Sequence, residues 1–178
     1  ANDVRRLTHA SVFSVAIIMG FTFSLLVCIG VSRWLSPWQK ERLRPYLQFY
    51  LQLFFTVLLL TSALKLVWGR VRYRQMEEAS QFCVWYLPCG VQGTSFPSGH
   101  TSSFAATVLV VLSLRFPRLR SHARLIGAAV AGSILLMMLS RVIMGAHFVS
   151  DTAAGMLIAL GCWRFYDRRW EKWFYDHA

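Results

Sequence analysis

Hydrophobic positions along the chain gather into five long runs, a pattern that predicts membrane-length helices before strands or amphipathic surface helices. The first run, Ala10–Val31, carries no charge across 22 residues. As a helix it would be roughly 33 Å long, enough for a hydrocarbon core of roughly 30 Å. It starts too late and runs too long for a signal peptide, and no small-x-small cleavage site follows it. The second run, Tyr46–Trp68, is interrupted only by Lys65. The third is Ser98–Leu114, the fourth Leu125–Met144 and the fifth His147–Trp163, each with polar residues at one end. No repeat, low-complexity tract or Pro/Gly/Ser-rich linker divides the chain. The expectation is one all-α domain over residues 1–178, a polytopic transmembrane helix bundle of about five spans.

The connectors orient such a bundle. Arg33, Lys40, Arg42 and Arg44 lie between the first two runs, Arg115, Arg118, Arg120 and Arg124 between the third and fourth, and Arg164, Arg168, Arg169 and Lys172 after the fifth. If every run crosses, these twelve basic residues share one side, which the positive-inside bias makes cytoplasmic. The N-terminus, the loop Gly69–Pro97 and the short Gly145–Ala146 link then lie on the other side. Two stretches that mix aromatic and basic residues, Ser32–Pro45 and Arg164–Ala178, read as interfacial segments lying at the headgroups or, the favoured reading, as aromatic belts anchoring helix ends.

Composition agrees with a membrane setting. Of 178 residues, 56% are hydrophobic and 15% charged, with 19 Lys+Arg against 8 Asp+Glu and a formal net charge of +11. A soluble domain is nearer 45–50% and 25%, so disorder, collagen, a disulfide-knot scaffold and an ordinary soluble enzyme are all poor fits. In a soluble protein the positive charge would suggest nucleic acid. In so apolar a chain it suggests cytoplasmic loops against anionic lipid, and no nucleic-acid partner is expected.

Charge inside a bilayer is costly, so each polar residue in a span asks for a reason. Lys65, His100, Arg141, His147 and Asp151 all fall at the non-cytoplasmic ends of their runs. Lys65 and Arg72 are seven apart, so two helical turns would put them on one face, although Gly69 makes an unbroken helix less secure and a loop could achieve the same convergence. The string Phe96-Pro97-Ser98-Gly99-His100 precedes an apolar run, so Pro97 or Ser98 can open a helix whose free N–H groups suit an anion. His147 and Asp151 stand at i and i+4, where a carboxylate can hold one imidazole nitrogen and leave the other to react. Lys65, Arg72, Arg141 and a helix N-terminus converge as cations and donors around two histidines. That is a pocket for a multiply charged oxyanion, with phosphate the default. One imidazole would attack phosphorus while the other protonates the departing oxygen. No carboxylate or His/Cys set suits a metal, so no metal and no cofactor are expected; the cations would stabilise the equatorial oxygens.

These residues resemble the three motifs of the type 2 phosphatidic acid phosphatase family, kin to bacterial acid phosphatases and vanadium haloperoxidases. The family pattern is Lys-x6-Arg-Pro, Pro-Ser-Gly-His and Ser-Arg-x5-His-x3-Asp. Here it reads Lys65…Arg72-Tyr73, Pro97-Ser98-Gly99-His100 and Ser140-Arg141…His147…Asp151, with Tyr73 in place of Pro the one departure. The resemblance implies His147 as the nucleophile forming a phosphohistidine, Asp151 orienting it and His100 as general acid. It implies that Lys65, Arg72, Ser98, Gly99 and Arg141 bind the phosphate, without a metal. Members usually have six spans with the site on the non-cytoplasmic face, so the count of five leaves the first span as the one missing.

The expectation is therefore an integral membrane phosphatase acting on lipid phosphate monoesters or diphosphates. Phosphatidic acid, phosphatidylglycerophosphate, undecaprenyl diphosphate and lipid A phosphate are all candidate substrates. Its place would be a bacterial inner membrane, with the site facing the periplasm. The rivals are an anion or phospholipid transporter and a non-catalytic scaffold of the same fold. A transporter would spread its basic residues through the membrane depth, and a scaffold would not need intact His100, His147 and Asp151. Elsewhere, Cys83 and Cys89 could pair and close the outer loop in an oxidising compartment, or stay free. Cys28 and Cys162 read as packing residues, and His9, His122 and His177 as interfacial. Arg70 and Arg74 could assist phosphate binding or lie solvated or against lipid.

Overall fold

The structure is a computed structural model that describes residues 36–89, 93–114 and 121–176, with Arg33 and Leu119. The first apolar run, Ala10–Val31, lies outside the described residues, as do His9, Cys28 and His177. The chain forms two compact units, Ala1–Pro45 and Tyr46–Ala178. Four α-helices and two 3₁₀ turns, Tyr73–Gln75 and Ala79–Gln81, make up the secondary structure of the described residues, which contain no strand. The helices are α1 (Pro37–Trp68), α2 (Gly99–Ser113), α3 (Ala123–Ile143) and α4 (Val149–Asp176).

Helix α1 begins nine residues earlier than hydropathy suggests. Ser36 and Gln39 form a reciprocal capping box: the Ser36 N–H donates to Gln39 Oε1 at 2.9 Å and the Gln39 N–H to Ser36 Oγ at 3.4 Å. Pro37 occupies the first helical position, where its missing N–H costs nothing. Part of the stretch read as interfacial is thus helix. Farther along, Phe49, Leu53 and Val57 are fully buried at i, i+4 and i+8, and Thr61 and Lys65 continue the same stripe at 3% and 6% exposure. Lys65 therefore ends an inward-facing row, while Leu59, Leu66 and Val67 face outward.

Helix α2 packs against α4 and α3, and α3 against α4. Small residues on α2, Ala105 and Ala106, meet Leu109, Val130, Ile134 and Ala159 in one core with the α1 stripe. The stretches Gln39–Gln75 and Ala123–Ile143 are long and apolar enough to cross a bilayer. Helix α2 has 15 residues; at 1.5 Å per residue that is about 22 Å, short of a hydrocarbon core.

Helix α4 differs from its expected form at both ends. It starts at Val149, two residues after His147, and it runs on through the basic tail to Asp176. No Gly or Pro interrupts Trp163–Asp176, and tertiary bonds hold that segment to the bundle. Buried Asp167 accepts the Ser113 hydroxyl at 2.6 Å, and Ser113 Oγ accepts Trp163 Nε1–H at 2.9 Å. Trp170 donates to Gln52 Oε1 at 3.1 Å and meets Phe49 edge-on. Up to Asp176 the tail is the last part of a packed helix, continuous with the fifth apolar run.

Candidate active site

Two helix ends deliver cations. Helix α1 stops at Trp68 because Gly69 adopts φ +59° and returns its N–H to the Lys65 carbonyl at 3.4 Å. Arg72 consequently stands in the loop, extended at φ −77° and ψ 145°, and its seven-residue spacing from Lys65 is bridged by the turn and not by continuous helix. Helix α3 ends in a Schellman motif. Gly145 takes φ +61°, its N–H bonds the Val142 carbonyl at 2.9 Å, and the Ala146 N–H bonds the Arg141 carbonyl at 3.1 Å. The His147 N–H reaches the same Arg141 carbonyl at 3.3 Å. The five residues between Arg141 and His147 are thus one capping turn that folds the histidine back beside the arginine. The cation sits three positions inside the C-cap in both helices, where the helix dipole favours positive charge.

The third end is an N-terminus. Ser98 caps α2, its Oγ accepting the Thr101 N–H at 3.4 Å and the Thr101 hydroxyl at 3.0 Å. The Ser98 N–H donates to the Asp151 carbonyl at 2.9 Å, which ties the start of α2 to the start of α4. Gly99 lies against the Lys65 stem: a Cβ there would stand 3.5 Å from Lys65 Cε. Lys65 Nζ donates to the Thr94 carbonyl at 2.6 Å.

Asp151 is fully buried, and both carboxylate oxygens are engaged. Oδ1 receives Arg70 Nη1 at 2.6 Å; Oδ2 receives the Ser95 hydroxyl at 2.5 Å and the Phe148 N–H at 3.0 Å. His147 Nδ1 lies 3.7 Å from Oδ2 but only 2.8 Å from the Ser95 carbonyl. A carbonyl can only accept, so Nδ1 carries the proton and the lone pair is on Nε2. Contact between His147 and Asp151 is therefore mainly relayed through Ser95, not the direct i,i+4 bond that the spacing suggests.

Arg70, left open in the sequence between phosphate and lipid, does neither. It is 2% exposed, bonds Asp151 and Ser150 (2.8 Å), and lies 4.0 Å above the Phe148 ring. Tyr73, at the position of the motif proline, meets the same Phe148 ring edge-on at 6.0 Å. Neither Arg70 nor Ser95 stands out in the sequence. Arg70, Arg72 and Arg74 alternate with nothing to rank them, and Ser95 lies just ahead of the Pro-Ser-Gly-His string without belonging to it.

Cations lie near both histidines. Lys65, Arg72, Arg141 and His147 all lie within electrostatic reach of His100, and Lys65 and Arg72 within reach of His147. Arg141 directs Nη2 to Met144 Sδ at 3.3 Å and Nε to Ser140 Oγ at 3.4 Å. Arg72 Nε is buried and has no hydrogen-bond partner among the described residues. A guanidinium stays charged at any working pH. Among the described residues no three His, Cys, Asp or Glu side chains gather as a metal site would require.

The loop that follows Gly69 is fastened to the end of α1. Cys83 and Cys89 come together as a disulfide pair with Cα atoms 6.1 Å apart. The Cys89 N–H bonds the Trp68 carbonyl at 2.7 Å, and Trp68 Nε1 donates to the Trp85 carbonyl at 2.6 Å. Phe82 stacks edge-on against Phe148 at 5.5 Å.

Residues 46–174, which include all three motifs and every helix around the site, match the model of the PAP2 superfamily. The chain belongs to the PAP2 superfamily. This PAP2 chain is 37% identical over 114 residues to a protein of Rhizobium johnstonii named lipid A 1-phosphatase, covering 62% of this chain and 43% of that one. It is 36% identical over 114 residues to a lipid A 1-phosphatase of Rhizobium etli, covering 62% of this chain and 45% of that one. The chain thus spans less than half the length of these two curated relatives. No solved structure matches it.

Proposed function

We propose that this PAP2 chain is an integral membrane phosphatase that removes phosphate from a lipid through a phosphohistidine on His147. The observation that carries the reading is the His147 ring itself. With Nδ1 bonded to the Ser95 carbonyl at 2.8 Å, the nucleophilic lone pair is on Nε2 of a ring within electrostatic reach of Lys65, Arg72 and His100, and Arg141 lies within reach of His100. Nε2 attacks phosphorus and the P–O bond to the lipid breaks, while His100 gives its proton to the departing oxygen. Water then attacks phosphorus, His100 takes the proton back, the N–P bond breaks and inorganic phosphate leaves.

Lys65, Arg72, Arg141 and the first turn of α2 at Ser98 and Gly99 would hold the three non-bridging oxygens, and the Arg72 Nε proton, which lacks an acceptor among the described residues, would find one there. The five apolar runs support five spans, the Arg and Lys distribution supports a site at their non-cytoplasmic ends, and the bacterial relatives support a bacterial inner membrane. The relatives' name makes the 1-phosphate of lipid A the first substrate to try, with phosphatidic acid, phosphatidylglycerophosphate and undecaprenyl diphosphate beside it. Phosphate release should be measured on each of the four lipids in detergent micelles. Turnover of at least one, abolished by His147→Ala, is the predicted result. Equal release by His147→Ala and the unaltered protein would overturn the assignment of the nucleophile.

A further inference from the structure

We propose that Ser95 is a positioning residue for the nucleophile: its carbonyl fixes the ring and tautomer of His147 while its hydroxyl locks the Asp151 carboxylate. The inference rests on the phosphohistidine reading above and deepens it. Ser95 is fully buried, at 0% exposure. Its main chain accepts from His147 Nδ1 at 2.8 Å and its side chain donates to Asp151 Oδ2 at 2.5 Å, with the same hydroxyl oxygen 3.4 Å from His147 Nδ1. Its own N–H donates to the Arg70 carbonyl at 2.8 Å, and Arg70 closes the circuit by bonding Asp151 Oδ1 at 2.6 Å.

The bonds of this circuit to His147 and Asp151 span 52 to 81 residues of chain. His147 lies in the turn before α4, with two rotatable side-chain torsions and no helical neighbour to fix it. An Asp151 oxygen 3.7 Å away is too distant to orient the ring by a hydrogen bond. The Ser95 carbonyl does so instead, and it is held in place because the Ser95 side chain is anchored on the carboxylate. Asp151 then acts on His147 mostly by charge, and on its orientation through Ser95.

The test is a double-mutant cycle on lipid A hydrolysis in detergent micelles, with phosphatidic acid as the second substrate. Ser95→Ala should lower kcat by about 10- to 100-fold, the cost of a modest misplacement of a reacting group, with KM within about twofold. In an Asp151→Asn background the same change should cost less than about threefold, because the partner of the hydroxyl has already changed. A full penalty in both backgrounds, or kcat within twofold of the parent after Ser95→Ala alone, would overturn the proposal.

A nitrogen-15 NMR measurement on imidazole-labelled protein reads the same bond without turnover. The Nδ1 proton of His147, assigned by its loss in His147→Ala, should be visible and slow to exchange, and should broaden away in Ser95→Ala. An Nε2-protonated tautomer, or an Nδ1 proton unchanged by Ser95→Ala, would refute the positioning role. Absence of lipid turnover in the parent protein would defeat the phosphatase reading alone, leaving the NMR result to decide on Ser95.

Discussion

Replacing Gly155 by alanine probes whether the contact between α2 and α4 sets the spacing of the site. A Cβ at Gly155 would stand 2.6 Å from the Ser98 carbonyl oxygen and 3.3 Å from the Ser102 nitrogen, both backbone atoms. Ordinary contact begins at 3.4 Å, so the start of α2 must retreat by about 0.8 Å. It cannot retreat alone, because the Ser98 N–H is bonded to the Asp151 carbonyl at 2.9 Å. His100 moves with α2 and His147 with α4, so the strain opens the distance between the two imidazoles. Overpacking of this kind costs about 1–3 kcal/mol, and a displacement approaching 1 Å lowers a rate by roughly 10- to 100-fold. Gly161, two turns along the same helix, is the control: a Cβ there meets nothing within 4 Å. Alanine at that position should be neutral or stabilising by up to about 1 kcal/mol through helix propensity. Thermal melting in detergent and phosphate release, measured on both variants, separate the two. If Gly155→Ala matches Gly161→Ala in both assays, the close approach of α2 and α4 does not control the site.

Arg70→Met should destabilise by about 3–5 kcal/mol, because it strands the buried Asp151 charge; Arg70→Met combined with Asp151→Asn should melt higher than Arg70→Met alone, and a lower melting point for the pair would contradict a buried ion pair. Tyr73→Pro should keep turnover within about threefold of the parent, since Arg72 already has the extended backbone that a following proline demands; a tenfold loss would show that the Tyr73–Phe148 contact matters more than the backbone. Orthovanadate should inhibit competitively by occupying the phosphate position, and EDTA should leave turnover intact; a strict Mg²⁺ requirement would contradict a site in which Lys65, Arg72 and Arg141 carry the positive charge.

Hydropathy and spacing made different parts of the molecule legible. Apolar runs located α2 and α3 to within two residues at each end, because their N-caps, Ser98 and His122, lie near the change from polar to apolar residues. They missed the first turns of α1, where the start is set by the Ser36–Gln39 capping box and not by hydrophobicity. They also missed the last three turns of α4, where Asp167 is held by Ser113 and Trp170 by Gln52 and Phe49 from other helices. The three motifs named the residues that gather at one end, since a residue-type pattern survives whatever turn connects its members. Contacts across elements were another matter. The bond from Arg70 to Asp151 spans 81 residues and that from Ser95 to Asp151 spans 56, and no local spacing encodes either. The i,i+4 spacing of His147 and Asp151 does bring the pair within 3.7 Å, but it does not encode the closer partner of Nδ1, the Ser95 carbonyl at 2.8 Å.

The phosphohistidine itself can be caught. Protein mixed with phosphorus-32-labelled lipid phosphate and quenched in alkali within one turnover should retain label that is stable to base and lost in acid, on the peptide that contains His147. Labelling should vanish in His147→Ala and accumulate when His100 is replaced by Asn and a good leaving group removes the need for acid catalysis. Label on a serine or aspartate, or turnover with no labelled protein at any time after mixing, would contradict the account.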